Sequence, residues 1–259
     1  MTVPLIDTHA HLYGEAFLAD FPAVLDRSKK VVQQVLLPNI DKESAERMHF
    51  LADQNPKYFF PMMGLHPCAI EQNWEDQIEW VKQQLSRRAD YCAIGEIGVD
   101  LHWDTRLKSE QIAAFRAQIE LAKSEQLPVV IHARASFDEV FEVLDEVNDT
   151  ELTGVFHCFT GNIEQARKVL NYGGFYLGVG GILTYKNSGL AAVYEQIPLD
   201  SLLLETDAPY LSPVPFRGKR NESSYLLHIA EKLAEVKGLS LNEVAEKTTE
   251  NANTLFKLS

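Results

Sequence analysis

The chain has 259 residues, 46% of them hydrophobic, and a net charge of −13. That is enough apolar material for one large core, and an α/β barrel of this length is normally a single domain, here taken as residues 1–259. The acidity argues against binding nucleic acid through the whole surface, so a polyanionic substrate must be met locally, by metal ions or a small basic patch.

The pattern along the chain is strand then helix, repeated without a linker or low-complexity segment. LIDTHAHL (5–12) is the first expected strand, followed by a helical segment around 17–30. QVLLPNI (34–40) is the second strand, and 42–55 has helical spacing with Ala45, Met48 and Leu51 on one face. YFFPMMGLHP (58–67) is the third strand, with a helix over 75–88. CAIGEIGVD (92–100) is the fourth, before the clearest helix, 109–126, with Ser109 as its expected N-cap. PVVIHAR (128–134), TGVFHCFTG (153–161), GFYLGVGG (174–181) and SLLLETDAPYL (201–211) supply strands five to eight. Helices are expected at 137–147, 163–171, 190–197, 225–237 and 241–250. Eight short apolar strands alternating with helices fit a (β/α)8 TIM barrel best. A doubly wound open sheet is the runner-up, but no G-x-G-x-x-G or phosphate loop follows any strand.

In such a barrel the active site lies at the C-terminal ends of the strands. Five of the eight histidines fall there: His9, His11, His66, His132 and His157. Glu96, Glu205 and Asp207 join them. Residues two apart on a strand point the same way, so His9 and His11 project together, backed by Asp7. Histidines and carboxylates without clustered thiolates suit a divalent ion such as Mg²⁺, Mn²⁺ or Zn²⁺, and there are donors enough for two. Barrel closure puts Asp207 beside His9 and His11, while Glu96, His132 and His157 come from neighbouring strands. Glu96 is placed to bridge both ions. Two such ions can bind a phosphoryl group and activate water, with Asp207 as a metal ligand that also takes the proton. Glu205, on the same face as Asp207, is expected to hydrogen-bond a ligand histidine.

These residues sit in a series of motifs: IDTHAHL, GLHP, GEIGVD, PVVIHAR, FHCFTG, ETDAPYL and PFRGKRNE. The series runs the length of the chain and resembles the TatD family of metal-dependent deoxyribonucleases, within the amidohydrolase-like barrels. The resemblance implies a divalent-metal phosphoesterase acting on DNA, of 3′-5′ exonuclease type, with His9, His11, Glu96, His132, His157 and Asp207 as ligands. The chain departs from the family at Leu101-His102-Trp103, where an aromatic pair is common, and at Ser223, where a proline is expected. Two alternatives stay open: a two-metal amidohydrolase acting on an ester or amide, and a deacylase of D-aminoacyl-tRNA, an activity associated with related barrels. Many amidohydrolases bridge their ions through a modified lysine on strand four, and 92–100 contains no lysine. A barrel that binds nucleic acid or protein without catalysis is the third reading, disfavoured because such a donor set is costly to assemble without metal.

Several other residues have two readings each. Arg217, Lys219 and Arg220 form the one dense basic cluster, read as phosphate contacts or as a solvated loop. Arg134 is a further phosphate candidate. His66 either donates to a phosphate oxygen or hydrogen-bonds its turn. Trp103, Tyr185 and Phe216 either stack on bases or pack at the rim. Cys158, next to His157, is expected to point away from the site toward the helices. Cys68, Cys92 and Cys158 lack a C-x-x-C pair and read as reduced thiols of a cytoplasmic protein. No run of membrane-spanning length occurs, and the start lacks the basic-then-apolar pattern of a signal peptide.

Overall fold

The computed structural model describes residues 5–103 and 105–258. Eight parallel strands alternate with helices: β1 Leu5–Asp7, α1 Phe21–Ser28, β2 Val32–Leu37, α2 Lys42–Gln54, β3 Phe59–Pro61 and α3 Trp74–Arg87. Then come β4 Ile94–Asp100, α4 Lys108–Glu125, β5 Val129–Arg134, α5 Phe137–Val147, β6 Gly154–Phe156 and α6 Ile163–Asn171. The last are β7 Phe175–Val179, α7 Leu190–Gln196, β8 Leu202–Leu204, α8 Leu226–Lys237 and α9 Leu241–Phe256. The strands form two parallel runs, β1-β2-β3 and β4 through β8 in sequence order. Both seams between the runs are stitched. Met63 pairs with Ile94 and Ala10 with Ala208. Thr8 N donates to Leu204 O, and Asp207 N to His9 O. The architecture is that of a TIM barrel.

Strand alternation divides the core into two layers. Leu5, Val35, Leu37, Val129, Ile131, Leu202 and Leu204 face the helices. Ile6, Leu36, Met62, Ala93, Val130, Val155 and Leu203 fill the inside, where Ala252, Leu255 and Phe256 of α9 pack against them. The helix expected to stop near Glu250 therefore continues to Phe256, because its last turn plugs the lower end of the barrel. Its start is set by a capping box of Ser240 and Glu243.

Other boundaries also differ from the sequence expectation. The hydrogen-bonded ladders of β1, β3, β6 and β8 are only three residues long. His9, His11, His66, His157, Glu205 and Asp207 thus lie just beyond strand ends, where the chain leaves its neighbours and turns over the barrel mouth. Ser109 does not cap α4. The helix begins at Lys108 after Leu107, with no side-chain cap, so Ser109 lies within its first turn.

The β4–β5 register shifts between Ile94 and Ile97, with one extra residue on β4. Such a bulge re-aims a side chain, and here it carries Glu96. Gly98 follows at φ 142°, and a Cβ there would collide with the His132 carbonyl. That close approach seats β4 on β5 at the level of the site.

Candidate metal centre

Above the apolar inner layer comes a polar one. Glu96, His132, His157 and Glu205 fill it, and Gly178 leaves room for the Glu205 carboxylate, which a Cβ would strike. Glu96 is at the centre and 2% exposed. Its Oε2 lies 3.1 Å from His9 Nε2 and 3.5 Å from His11 Nε2. Its Oε1 lies 2.7 Å from both His132 Nδ1 and His157 Nε2, and 3.4 Å from His66 Nε2. Asp207 Oδ1 stands 3.7 Å from His9 Nε2 and 3.6 Å from His11 Nε2. One carboxylate thus faces two sets of imidazoles, one with each oxygen.

The far sides of His11, His132 and His66 show which way each of these rings is turned. Tyr13 OH donates to Pro38 O at 2.5 Å, so it accepts from His11 Nδ1 at 2.9 Å, leaving the His11 Nε2 lone pair facing Glu96 and Asp207. The Asp100 carboxylate takes His132 Nε2–H at 2.9 Å, leaving Nδ1 bare toward Glu96. Glu205 Oε1 lies 3.5 Å from His157 Nδ1 and also accepts from the Cys158 backbone N–H. His66 is turned the other way. Its Nδ1 accepts from the Cys68 backbone N–H at 3.0 Å, so in the neutral ring the Nε2 that faces Glu96 carries the proton. His66 is a donor at this site rather than an electron-pair ligand.

Burial would raise the Glu96 carboxyl, but the neighbouring imidazoles, His157 and His66 foremost, outweigh it and hold the group well below its ordinary range. Glu96 is ionised. Burial, aided by neighbouring His157, holds His9 neutral. Burial would also raise Asp100, but His132 and the His102 backbone N–H bring it down to about 2. Burial raises Asp207 to about 6 against the pull of His157 and His11.

The donor set fits divalent cations. His9 Nε2 and His11 Nε2 are 3.3 Å apart, and His132 Nδ1 and His157 Nε2 are 3.2 Å apart. Paired imidazole nitrogens gathered on each side of a buried carboxylate make a donor set of imidazole and carboxylate oxygen, which suits Mg²⁺, Mn²⁺ or Zn²⁺. Among the described residues His9, His11 and Glu96 form one group close enough to hold an ion and His9, His157 and Glu205 another; Glu96, His66 and His132 make a third, but the tautomer of His66 removes it from that role.

The centre opens into a cavity of about 560 Å³ lined by His11, His66, Glu96, His132, His157 and Asp207 below, and by Trp103, Arg134, Cys158 and Tyr210 toward the mouth. Asp207 and Cys158 both adopt positive φ, at 56° and 42°. These conformations are costly for residues other than glycine and gather at functional sites. The turn at Cys158 breaks strand alternation. Its side chain therefore lines the cavity instead of pointing toward the helices as alternation implied.

Asp7 does not reach a histidine ring. Its two oxygens accept from Thr206 N at 2.9 Å and Thr206 Oγ1 at 2.7 Å, which ties β1 to the segment carrying Asp207. The basic cluster divides. Arg220 forms a double hydrogen bond with Asp20 at 2.7 and 2.8 Å, donates to Ala16 O, and lies over the Phe17 ring. It is a strut for its loop and does not line the cavity. Asn221, fully buried, donates to Thr206 O and Tyr210 O from the same loop. Arg217 is exposed and lies over the Tyr185 ring, and Lys219 is exposed. Phe216 stacks on Tyr225 and is a packing residue. Asp100 and Tyr13 were absent from the sequence reading, although each lies an even number of residues from a donor on its own segment, Glu96 and His11.

Residues 6–257 match the family model described as TatD related DNase. A Bacillus subtilis protein described as the uncharacterized metal-dependent hydrolase YabD is 40% identical over 257 residues, covering 98% of this chain and 100% of that protein. The 3′-5′ ssDNA/RNA exonuclease TatD of Yersinia pseudotuberculosis is 33% identical over 261 residues, covering 98% of this chain and all of that one. The crystal structure of YJJV, a TatD homolog from Escherichia coli K12, superposes with a TM-score of 0.92 at 33% identity, covering both chains completely. With its barrel, its central carboxylate and a family match from end to end, the chain belongs to the TatD-related DNase family.

Proposed function

We propose that this protein is a single hydrolase barrel that cleaves phosphodiester bonds of nucleic acid, DNA foremost, with two divalent cations, taking nucleotides from the 3′ end. The observation that carries the reading is Glu96, whose two oxygens face two separate sets of turned imidazoles. In this reading His9, His11 and Asp207 would hold one cation and His132 and His157 the other, with Glu96 within reach of both. When bound, such a pair supplies a water of lowered pKa and offsets charge on the phosphoryl group.

The chain's own groups do the rest. Asp207 faces the cavity and takes the proton of the attacking water. The His66 Nε2–H, fixed by the Cys68 backbone, donates to a phosphoryl oxygen. Arg134, which lines the cavity, meets the next phosphate, and the exposed Arg217 and Lys219 of the loop after β8 are available to phosphates beyond it. The 3′-5′ direction is supported by the activity named for the Yersinia relative.

The test is the purified protein with Mg²⁺, Mn²⁺ or Zn²⁺ against single-stranded DNA, RNA, aminoacyl-tRNA and a chromogenic phosphodiester. Metal-dependent cleavage of DNA is expected. Turnover of aminoacyl-tRNA, or of an amide, without turnover of any phosphodiester would overturn the reading.

A further inference from the structure

One aromatic side chain at the cavity mouth has no part in the chemistry around Glu96. Trp103, in the loop after β4, is 73% exposed and lines the cavity. The Arg134 guanidinium carbon lies 5.2 Å from the centre of its ring, and the His102 ring meets it edge-on at 4.9 Å. The indole is therefore flanked by neighbours yet left mostly in water, where so large an apolar surface forgoes its burial. Tyr210, 56% exposed, lines the same cavity from the β8 side.

Electrostatics leave room for such a group. A chain of net charge −13 repels a polyanion at long range, and Arg220 is spent on Asp20. Stacking of a base on an aromatic ring draws on contact area rather than on net charge.

Resting on the phosphodiesterase reading, we propose that Trp103 is a base-stacking platform, on which the nucleobase adjoining the scissile phosphate lies, with Arg134 beside it to meet the phosphate. Such a platform suits the single-stranded nucleic acid named for the Yersinia relative, because a base within a duplex has both faces covered by its neighbours.

The experiment compares two single-stranded oligonucleotides that differ only at the 3′-terminal nucleotide, which carries a base in one and is abasic in the other. Trp103→Ala should raise KM for the intact strand by roughly 5- to 100-fold and leave KM for the abasic strand unchanged. Trp103→Phe should recover most of the loss. Equal effects on both strands, or none on either, would overturn the platform while leaving the phosphodiesterase reading standing. If the parent protein hydrolyses neither strand, that reading fails instead. Binding is then read from quenching of a 2-aminopurine trinucleotide, and identical quenching by parent and Trp103→Ala would overturn the platform as well.

Discussion

The Asp100 carboxylate holds His132 by its Nε2 at 2.9 Å, and so presents the opposite nitrogen, Nδ1, to Glu96 at 2.7 Å. A ligand ring is worth little if it can rotate, and acceptors behind metal-binding histidines are commonly worth 10- to 100-fold in affinity. Asp100→Ala should therefore weaken binding of Mn²⁺ or Zn²⁺ by about 10- to 100-fold, read by calorimetry on the metal-free protein, with the circular dichroism spectrum unchanged. Unchanged affinity would mean that His132 keeps its orientation by packing alone.

Chelation supplies a second test with two readouts. EDTA should abolish hydrolysis, and added Mg²⁺ or Mn²⁺ should restore it. Metal at about 100 times its dissociation constant should also raise Tm by roughly 5–10 °C, because it binds only the folded arrangement. Activity that persists in EDTA, with no change in Tm, would rule out a metal centre.

The loop after β8 separates two effects of charge. Arg220→Ala breaks the Asp20 pair and the contact over Phe17, so it should lower the midpoint of urea unfolding. Lys219→Ala should leave stability unchanged, weaken oligonucleotide binding and flatten its salt dependence. Reversed results would return Arg220 to the substrate and make Lys219 the strut.

Glu222 gives the pH dependence. Burial would raise its pKa, but the Arg27 hydrogen bonds at 2.7 and 2.6 Å bring it below the usual range. A carboxyl with a lowered folded pKa adds stability above its unfolded value and loses it as pH falls through the folded one. Arg27→Ala should therefore cost about 1 kcal/mol in urea unfolding at pH 7, since the guanidinium is partly solvated, and almost nothing near pH 3. A difference that stays constant across that range would mean that Arg27 acts through packing and not through charge.

How much was legible from sequence varies residue by residue. The donors around Glu96 were readable because apolar strands end at polar side chains, and in a parallel barrel all those ends gather on one face. Asp100 was also within reach, since strand alternation puts residues 96, 98 and 100 on one side. Three things were not. The direction in which His66 is turned depends on a backbone N–H two residues on, and no side-chain pattern encodes it. The engagement of Arg220 with Asp20 spans 200 positions, with no local signal to mark it. The short ladders of β3, β6 and β8 depend on where neighbouring strands diverge, which apolar runs extending into the loops do not report.

The plug formed by Ala252, Leu255 and Phe256 has a bearing on traffic. Among the described residues it makes the barrel a cup, filled below, whose cavity opens at the mouth where Trp103 and Tyr210 stand. A polymer cannot be drawn through a cup as through a ring. If the proposed phosphodiesterase activity holds, a strand cut there would enter and leave by the same opening, so each round of cleavage would have to vacate the mouth before the next segment could settle.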